Sequence, residues 1–168
     1  PKFGVPSPTP TRAPESFITE AQDFFNEGKL IPAIASYKQA IASDPNNPAV
    51  YVALAQVQVF AGQYKDAQDS AGYAIMLNND SSMAYAVLGW ALGNQENFLE
   101  AENNIKKALD LDSRNALAHA YYAEILANYS LTSTAPFGTI ERAIEESRVA
   151  VDLAPTNLET YRARGIIP

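Results

Sequence analysis

An all-α fold, a solenoid of four helical hairpins followed by one short helix, follows from three observations. Residues of matching size recur every 34 positions. Apolar residues at helical spacing come in paired segments divided by polar turns. Alanine or glycine stands where paired segments would touch. The pattern is clearest from Ser82 to Asn115. Tyr85, Leu88, Gly89 and Leu92 mark the first segment; Phe98, Ala101, Ile105 and Ala108 mark the second; Asn94-Gln95-Glu96-Asn97 is the turn. Gly89 and Ala101 lack bulk, so two helix backbones can approach closely there. One such hairpin is too small to bury its own apolar faces and needs neighbours.

The 34-residue step supplies them. Phe17, Tyr51, Tyr85 and His119 share a register, as do Ala21, Ala55, Gly89 and Ala123. Ala33, Ala67 and Ala101 form a third column, and Ala40, Ala74 and Ala108 a fourth. Leu30, Tyr64 and Phe98 agree, and Gly28 matches Gly62 in the turn. In period, residue size and order the stretch from Phe17 to about Tyr161 resembles the tetratricopeptide repeat (TPR) family. The resemblance implies a right-handed α-solenoid that presents surfaces to other proteins. It implies a shape and not a reaction.

Composition narrows the function. At 168 residues the chain has the length of one domain, and 47% apolar content is ample for a core. A net charge of −7 and a pI near 4.6 argue against nucleic acid and against an anionic membrane surface. No run approaches the ~18 apolar residues of a membrane span. No signal-peptide pattern is present, and the chain opens on Pro1 rather than Met, which suggests a processed or excerpted sequence. Cysteine is absent, so disulfides and thiolate zinc sites are excluded. That fits an extracellular or cell-surface bacterial protein, with the cytoplasm as the alternative.

The elements follow in order. Residues 1–14 contain five prolines. Proline fixes φ and removes a donor, so this stretch reads as an extended arm. A plain linker is the bland alternative; docking through Phe3, Val5 and Pro6 is the sharper expectation. The solenoid then fills 15–168. Its first repeat covers about 15–47, with Ala33, Ile34, Tyr37, Ala40 and Ile41 on its second helix and Pro45 as a stop. Glu20 stands where the family prefers leucine, which questions tight packing of the first helix. The second repeat, 48–81, opens on Pro48. Gln58 stands where an aromatic is usual, and Asn79 replaces the closing proline. The third repeat is 82–115.

The fourth, 116–157, starts normally with Leu117, His119, Tyr122, Ala123 and Leu126. Its later residues Ala143, Ala150 and Pro155 then fall 8 positions late. The insertion lies in the Ser/Thr/Pro/Gly stretch 130–139, where extra length costs little. Phe137 at its tip is a candidate contact. A partial fifth repeat, 158–168, places Tyr161 in the aromatic column and Gly165 in the small one.

No catalytic constellation is visible, and no cofactor or metal is expected. His119 is the sole histidine and replaces a tyrosine in register, so it reads as core packing. Asp110, Asp112 and Asn115 lack the glycine and distant glutamate of a calcium loop and read as turn residues. Glu145 and Glu146 read as solvent-facing. There is no glycine-rich phosphate loop. Two glycosylation sequons, at Asn79 and Asn128, matter only in a secreted context.

In the family the first helix of each repeat lines the concave face. The resemblance therefore implies a groove built of Ile18, Gln22 and Phe25, then Val52, Gln56, Val59 and Phe60. Met83, Ala86 and Trp90 would continue it, then Leu117, Ala120 and Glu124. The family's carboxylate clamp places Lys, Asn and Arg in the column that here reads Gln22, Gln56, Trp90 and Glu124, so a chaperone-tail receptor is not expected. Trp90 and Phe60 are the favoured contacts, because aromatics dominate binding hot spots. Two functions remain: a non-enzymatic scaffold assembling with copies of itself into a filament or tube, or an adaptor holding an apolar or proline-containing peptide in the groove.

Overall fold

Each hairpin is punctuated by the same local chemistry. The computed structural model describes residues 12–166, and helices are the regular elements among them. Four pairs follow in order: α1 (Pro14–Asn26) with α2 (Leu30–Ser43), α3 (Pro48–Phe60) with α4 (Tyr64–Leu77), α5 (Ser82–Gly93) with α6 (Phe98–Leu111), and α7 (Ala116–Ser130) with α8 (Thr139–Leu153). A last helix, α9, spans Leu158–Ile166. Asn47, Ser81 and Asn115 cap α3, α5 and α7, each accepting a backbone N–H of the first turn and satisfying a donor the helix leaves open. Asp44, Asn78 and Asp112, 34 residues apart, close α2, α4 and α6, each accepting the N–H two residues on. Asp112 is therefore a turn former, whereas Asp110 lies within α6.

Within pairs the chain reverses through a left-handed residue. Gly28 and Gly62 both have φ of 74°, and Glu96 takes φ of 62° at the same register. In each turn the N–H after that residue returns to a carbonyl five positions back: Lys29 to Phe24, Gln63 to Gln58, Asn97 to Leu92. Glutamate tolerates this conformation less readily than glycine.

The small columns are where helices meet. Ala21, Ala55 and Ala123 are fully buried, as are Ala33, Ala67, Ala101, Ala74 and Ala108. A Cβ on Gly89 would lie 2.8 Å from Ile105 Cγ1 and 2.9 Å from the Ala101 carbonyl, so only glycine admits this approach of α5 to α6. Odd-numbered helices stack on one another (α3 on α5, α5 on α7, α7 on α9), and each even helix bridges to the next pair. The result is the all-α solenoid that the columns predict.

Three polar departures find partners. Glu20 accepts from Ser36 at 2.8 Å and pairs with Arg12 at 3.1 Å. Buried Gln58 accepts from Ser70 at 2.7 Å. Ser36 and Ser70 share a register, so one small hydroxyl on the second helix serves both substitutions. His119 corrects the core-packing expectation: it spans to α8, with Nδ1 2.6 Å from Glu146 and Nε2 3.1 Å from the Ser113 carbonyl. Burial lowers its proton affinity, but the Glu146 carboxylate and the Ser113 carbonyl prevail, so its pKa is raised. Glu146 is thus half-buried and paired, whereas Glu145 remains exposed against Arg148.

Candidate protein-interaction groove

The inner surface of the solenoid is lined by α1, α3, α5, α7 and α9, and its centre is a ladder of aromatic rings. Phe25 meets Phe60 at 5.5 Å between centroids, Phe60 meets Trp90 edge-on at 5.1 Å, and Trp90 stacks flat on Tyr121 at 4.1 Å. Phe25, Phe60 and Trp90 belong to the first helices of successive repeats, though not to one 34-residue register. Tyr121 was outside the predicted groove, yet it is fully buried here and joins three helices: it accepts from Gln56 Nε2 at 3.1 Å and donates to Glu159 at 2.8 Å. Burial, then the charge of Glu159, drives its pKa well above the ordinary tyrosine value.

The close stack depends on Gly93, a residue that sequence reasoning passed over. A Cβ there would sit 2.5 Å from Ile125 Cγ1, so glycine is what lets α5 lie against α7. The contact joins helices of different repeats, and no single-repeat pattern reveals it.

Polar groups close the ladder. Trp90 Nε1 donates to Glu124 Oε2 at 2.9 Å. Arg162 of α9 reaches in from the open side. Its guanidinium stands 5.0 Å from the Phe60 centroid and 5.2 Å from that of Trp90, and one nitrogen is 2.7 Å from Glu124 Oε1. Oε1 is thus buried without a hydrogen bond, its partner being the Arg162 charge in this ion pair. Burial raises the Glu124 pKa, Arg162 and Trp90 oppose the rise, and Glu159 adds to it.

The predicted lining divides accordingly. Ile18 and Phe25 are half-buried and Gln22 is exposed, so the α1 end of the groove is open. Gln56, Phe60, Met83 and Leu117 are half-buried. Val52, Val59, Ala86 and Ala120 lie in the interior. Trp90 is 2% exposed with α9 in place, where Tyr121, Phe60 and Arg162 cover its faces and edge. Phe137 stands fully exposed in the 131–138 turn, ahead of Gly138 at φ 83°. Phe3, Val5 and Pro6 lie outside the described residues.

Comparison with known proteins agrees with this architecture. Two models described as tetratricopeptide repeat match the chain, one over residues 24–89 and one over 84–115. The chain belongs to the tetratricopeptide-repeat family. Among curated proteins, it is 26% identical to the human protein O-mannosyl-transferase TMTC1 over 145 residues, covering 84% of this chain and 16% of that one. The chain therefore spans a small part of that relative. Among solved structures, the second TPR domain of human RPAP3 in complex with an HSP70 peptide is 27% identical, with a TM-score of 0.59, over 67% of this chain and 98% of that one. MamA superposes over 92% of this TPR chain and 80% of its own, with a TM-score of 0.62 and 23% identity. A TPR fold of this kind is a scaffold for protein–protein contact. No helix among the described residues is long and apolar enough to cross a membrane.

Proposed function

We propose that this TPR chain is a non-enzymatic scaffold that associates with further copies of itself, through the outer face of α9 and the Phe3-Val5-Pro6 arm, as a filament or tube at the cell exterior. The observation that carries the reading is the state of α9. Leu158 is 84% and Tyr161 49% exposed. In earlier repeats the aromatic column is covered by the hairpin's own second helix: Tyr51 meets Tyr73 of α4, and His119 meets Glu146 of α8. A helix supplied by another copy would cover Tyr161 in the same manner. Exposed apolar groups elsewhere, Tyr73 and Met76 on α4 and Phe137 in the inserted turn, offer further lateral contacts. The cell exterior is proposed from the lack of cysteine and the Pro/Thr-rich arm.

Light scattering on a Leu158→Glu/Tyr161→Glu variant, and separately on a chain lacking residues 1–14, tests the reading. Each should collapse the assembly to a monomer, near 18.2 kDa for the substituted chain and smaller by the 14 missing residues for the deletion. Unchanged assembly in both variants overturns it.

One observation favours a second reading. The α1 end of the groove, with Ile18, Gln22 and Phe25, is open beside the small hollow lined by Phe25, Tyr37, Gln56 and Phe60. A peptide adaptor would use this end. The lack of Lys and Arg in the Gln22, Gln56, Trp90 and Glu124 column points it to an apolar or proline-containing segment rather than to the acidic peptide tails seen with RPAP3.

A further inference from the structure

The centre of the groove is chemically selective in a way that neither reading requires. Glu124 is 5% exposed, on the concave side of α7, where a carboxylate is costly unless a cation or several donors meet it. It has one aligned donor, Trp90 Nε1, and that bond fixes the carboxylate so that Oε1 faces the open side. Beside Oε1 lie the faces of Phe60 and Trp90, two electron-rich surfaces over which the Arg162 guanidinium stands and which attract a delocalised cation. Glu159, the other carboxylate at this rim, belongs to α9 itself and is held by the Tyr121 hydroxyl at 2.8 Å. Two rings and a buried oxygen that makes no hydrogen bond form a slot matched to a flat cation, on a chain whose net charge is −7. A guanidinium fits better than an ammonium, since it is planar and more weakly hydrated.

In this chain Arg162 fills the slot, but incompletely. Its side chain remains 38% exposed and pairs with Oε1 without a hydrogen bond. The helix that carries it is lightly seated. Among its described side chains Ala163 and Thr160 are the buried ones, and the Thr160 hydroxyl bonds the carbonyls of Ala154, at the end of α8, and Asn157 in the connecting turn. Leu158 and Tyr161 face outward, while Arg164 reaches Ser147 of α8 at 3.4 Å and Glu159 is held by Tyr121. Such an element opens at low cost relative to the packed hairpins.

We propose that the slot formed by Phe60, Trp90 and Glu124 is a guanidinium-binding site, latched in cis by Arg162, that receives an arginine presented on a peptide segment of a partner protein when α9 disengages. The resident arginine then competes with the incoming one, and the apparent affinity of the partner falls by the fraction of time the latch is open. Neither self-association through α9 nor docking of an apolar peptide at the α1 end is needed. A monomer with an inert α1 end would still bind arginine here.

Trp90 is the sole tryptophan, so its fluorescence reports this site alone. The probes are N-acetyl-arginine amide and its uncharged near-isostere N-acetyl-citrulline amide, titrated into the full chain and into Arg162→Ala. The variant should bind the arginine probe about tenfold more tightly than the natural chain, because its latch is gone. The citrulline probe should leave the emission unchanged. Adding Glu124→Gln to Arg162→Ala should abolish the arginine response, with a circular-dichroism melt verifying the fold. Equal titrations of the natural chain and Arg162→Ala overturn the proposal, as does an equal response to both probes. If the double variant does not fold, the arginine–citrulline contrast in Arg162→Ala decides alone.

Discussion

Tyr121 and Tyr122 are neighbours on α7, and each hydroxyl donates to a glutamate with an arginine–glutamate pair close by, yet the two settings are electrostatic opposites. Tyr122 points away from the groove, toward α6 and α8. There Glu102 accepts from its hydroxyl at 2.7 Å and from Arg142 at 2.6 Å, and pairs with Lys106 at 3.0 Å; Arg142 also donates to the Tyr122 oxygen. Burial works to raise the Glu102 pKa, but three donors override it and hold the carboxyl at about 2. Tyr121 points into the groove, where Glu124 has one aligned donor and its pKa is raised. Arginine and carboxylate are close in both places. The difference lies in the number of aligned donors, and it separates a finished structural strut from a site with unused capacity.

The largest disturbance should come from Gly93→Ala, since it moves the wall that both settings share. The added Cβ collides with Ile125, a branched and buried side chain on the face of α7 toward α5. Overpacking of this kind costs roughly 2 to 3 kcal/mol. Thermal melts should show that loss, and the Trp90 emission should shift as the 4.1 Å stack with Tyr121 opens. An unchanged melt and spectrum would mean that α5 does not need to lie this near α7.

Glu102→Gln comes next. The folded carboxyl titrates at about 2 against an ordinary 4.5, so ionised Glu102 stabilises the fold. With a depressed folded pKa, that stability is fully present above about 4.5 and is lost as pH falls toward about 2. After discount for solvent screening it amounts to about 1 kcal/mol. The variant should therefore melt lower at neutral pH and show a flatter decline between pH 4.5 and 2. A variant that tracks the natural chain across that range would show the cluster to be ornamental.

How much of this was legible beforehand follows the same division. Columns such as Ala33, Ala67 and Ala101 announce helix contacts because packing demands small residues at the same place in every hairpin. The cap residues Asn47, Ser81 and Asn115 recur for the same reason. What distinguishes this TPR chain from any other is not periodic. Tyr121, Gly93 and Arg162 act between repeats, and their partners lie 31 to 102 positions away in sequence. Trp90 was legible as a groove residue, but that Arg162 would already lie against it was not, because no local pattern says which side chain fills a concave surface. His119 was read as packing since its column is aromatic; its pairing with Glu146 depends on where the inserted turn sets α8.

Glu124→Gln should have the smallest effect on stability, and its sign sharpens the contrast most. A raised carboxyl pKa means that the fold disfavours the ionised form relative to the unfolded chain, so at neutral pH the charge is a net burden despite Arg162. Glutamine keeps the acceptor for Trp90 Nε1, removes the repulsion from Glu159 and gives up the attraction to Arg162. These changes nearly cancel, and the melt should stay within about 0.5 kcal/mol of the natural chain or rise slightly. As pH falls, the natural chain takes up a proton on Glu124 before its unfolded form would, so any advantage of the variant should shrink in acid, opposite to the course expected for Glu102→Gln. Parallel denaturation series at pH 7 and pH 4 read both. A loss for Glu124→Gln comparable with that of Glu102→Gln would mean that the groove carboxylate is as fully met by its neighbours as the strut is, and the slot would have no capacity left for an arginine from outside.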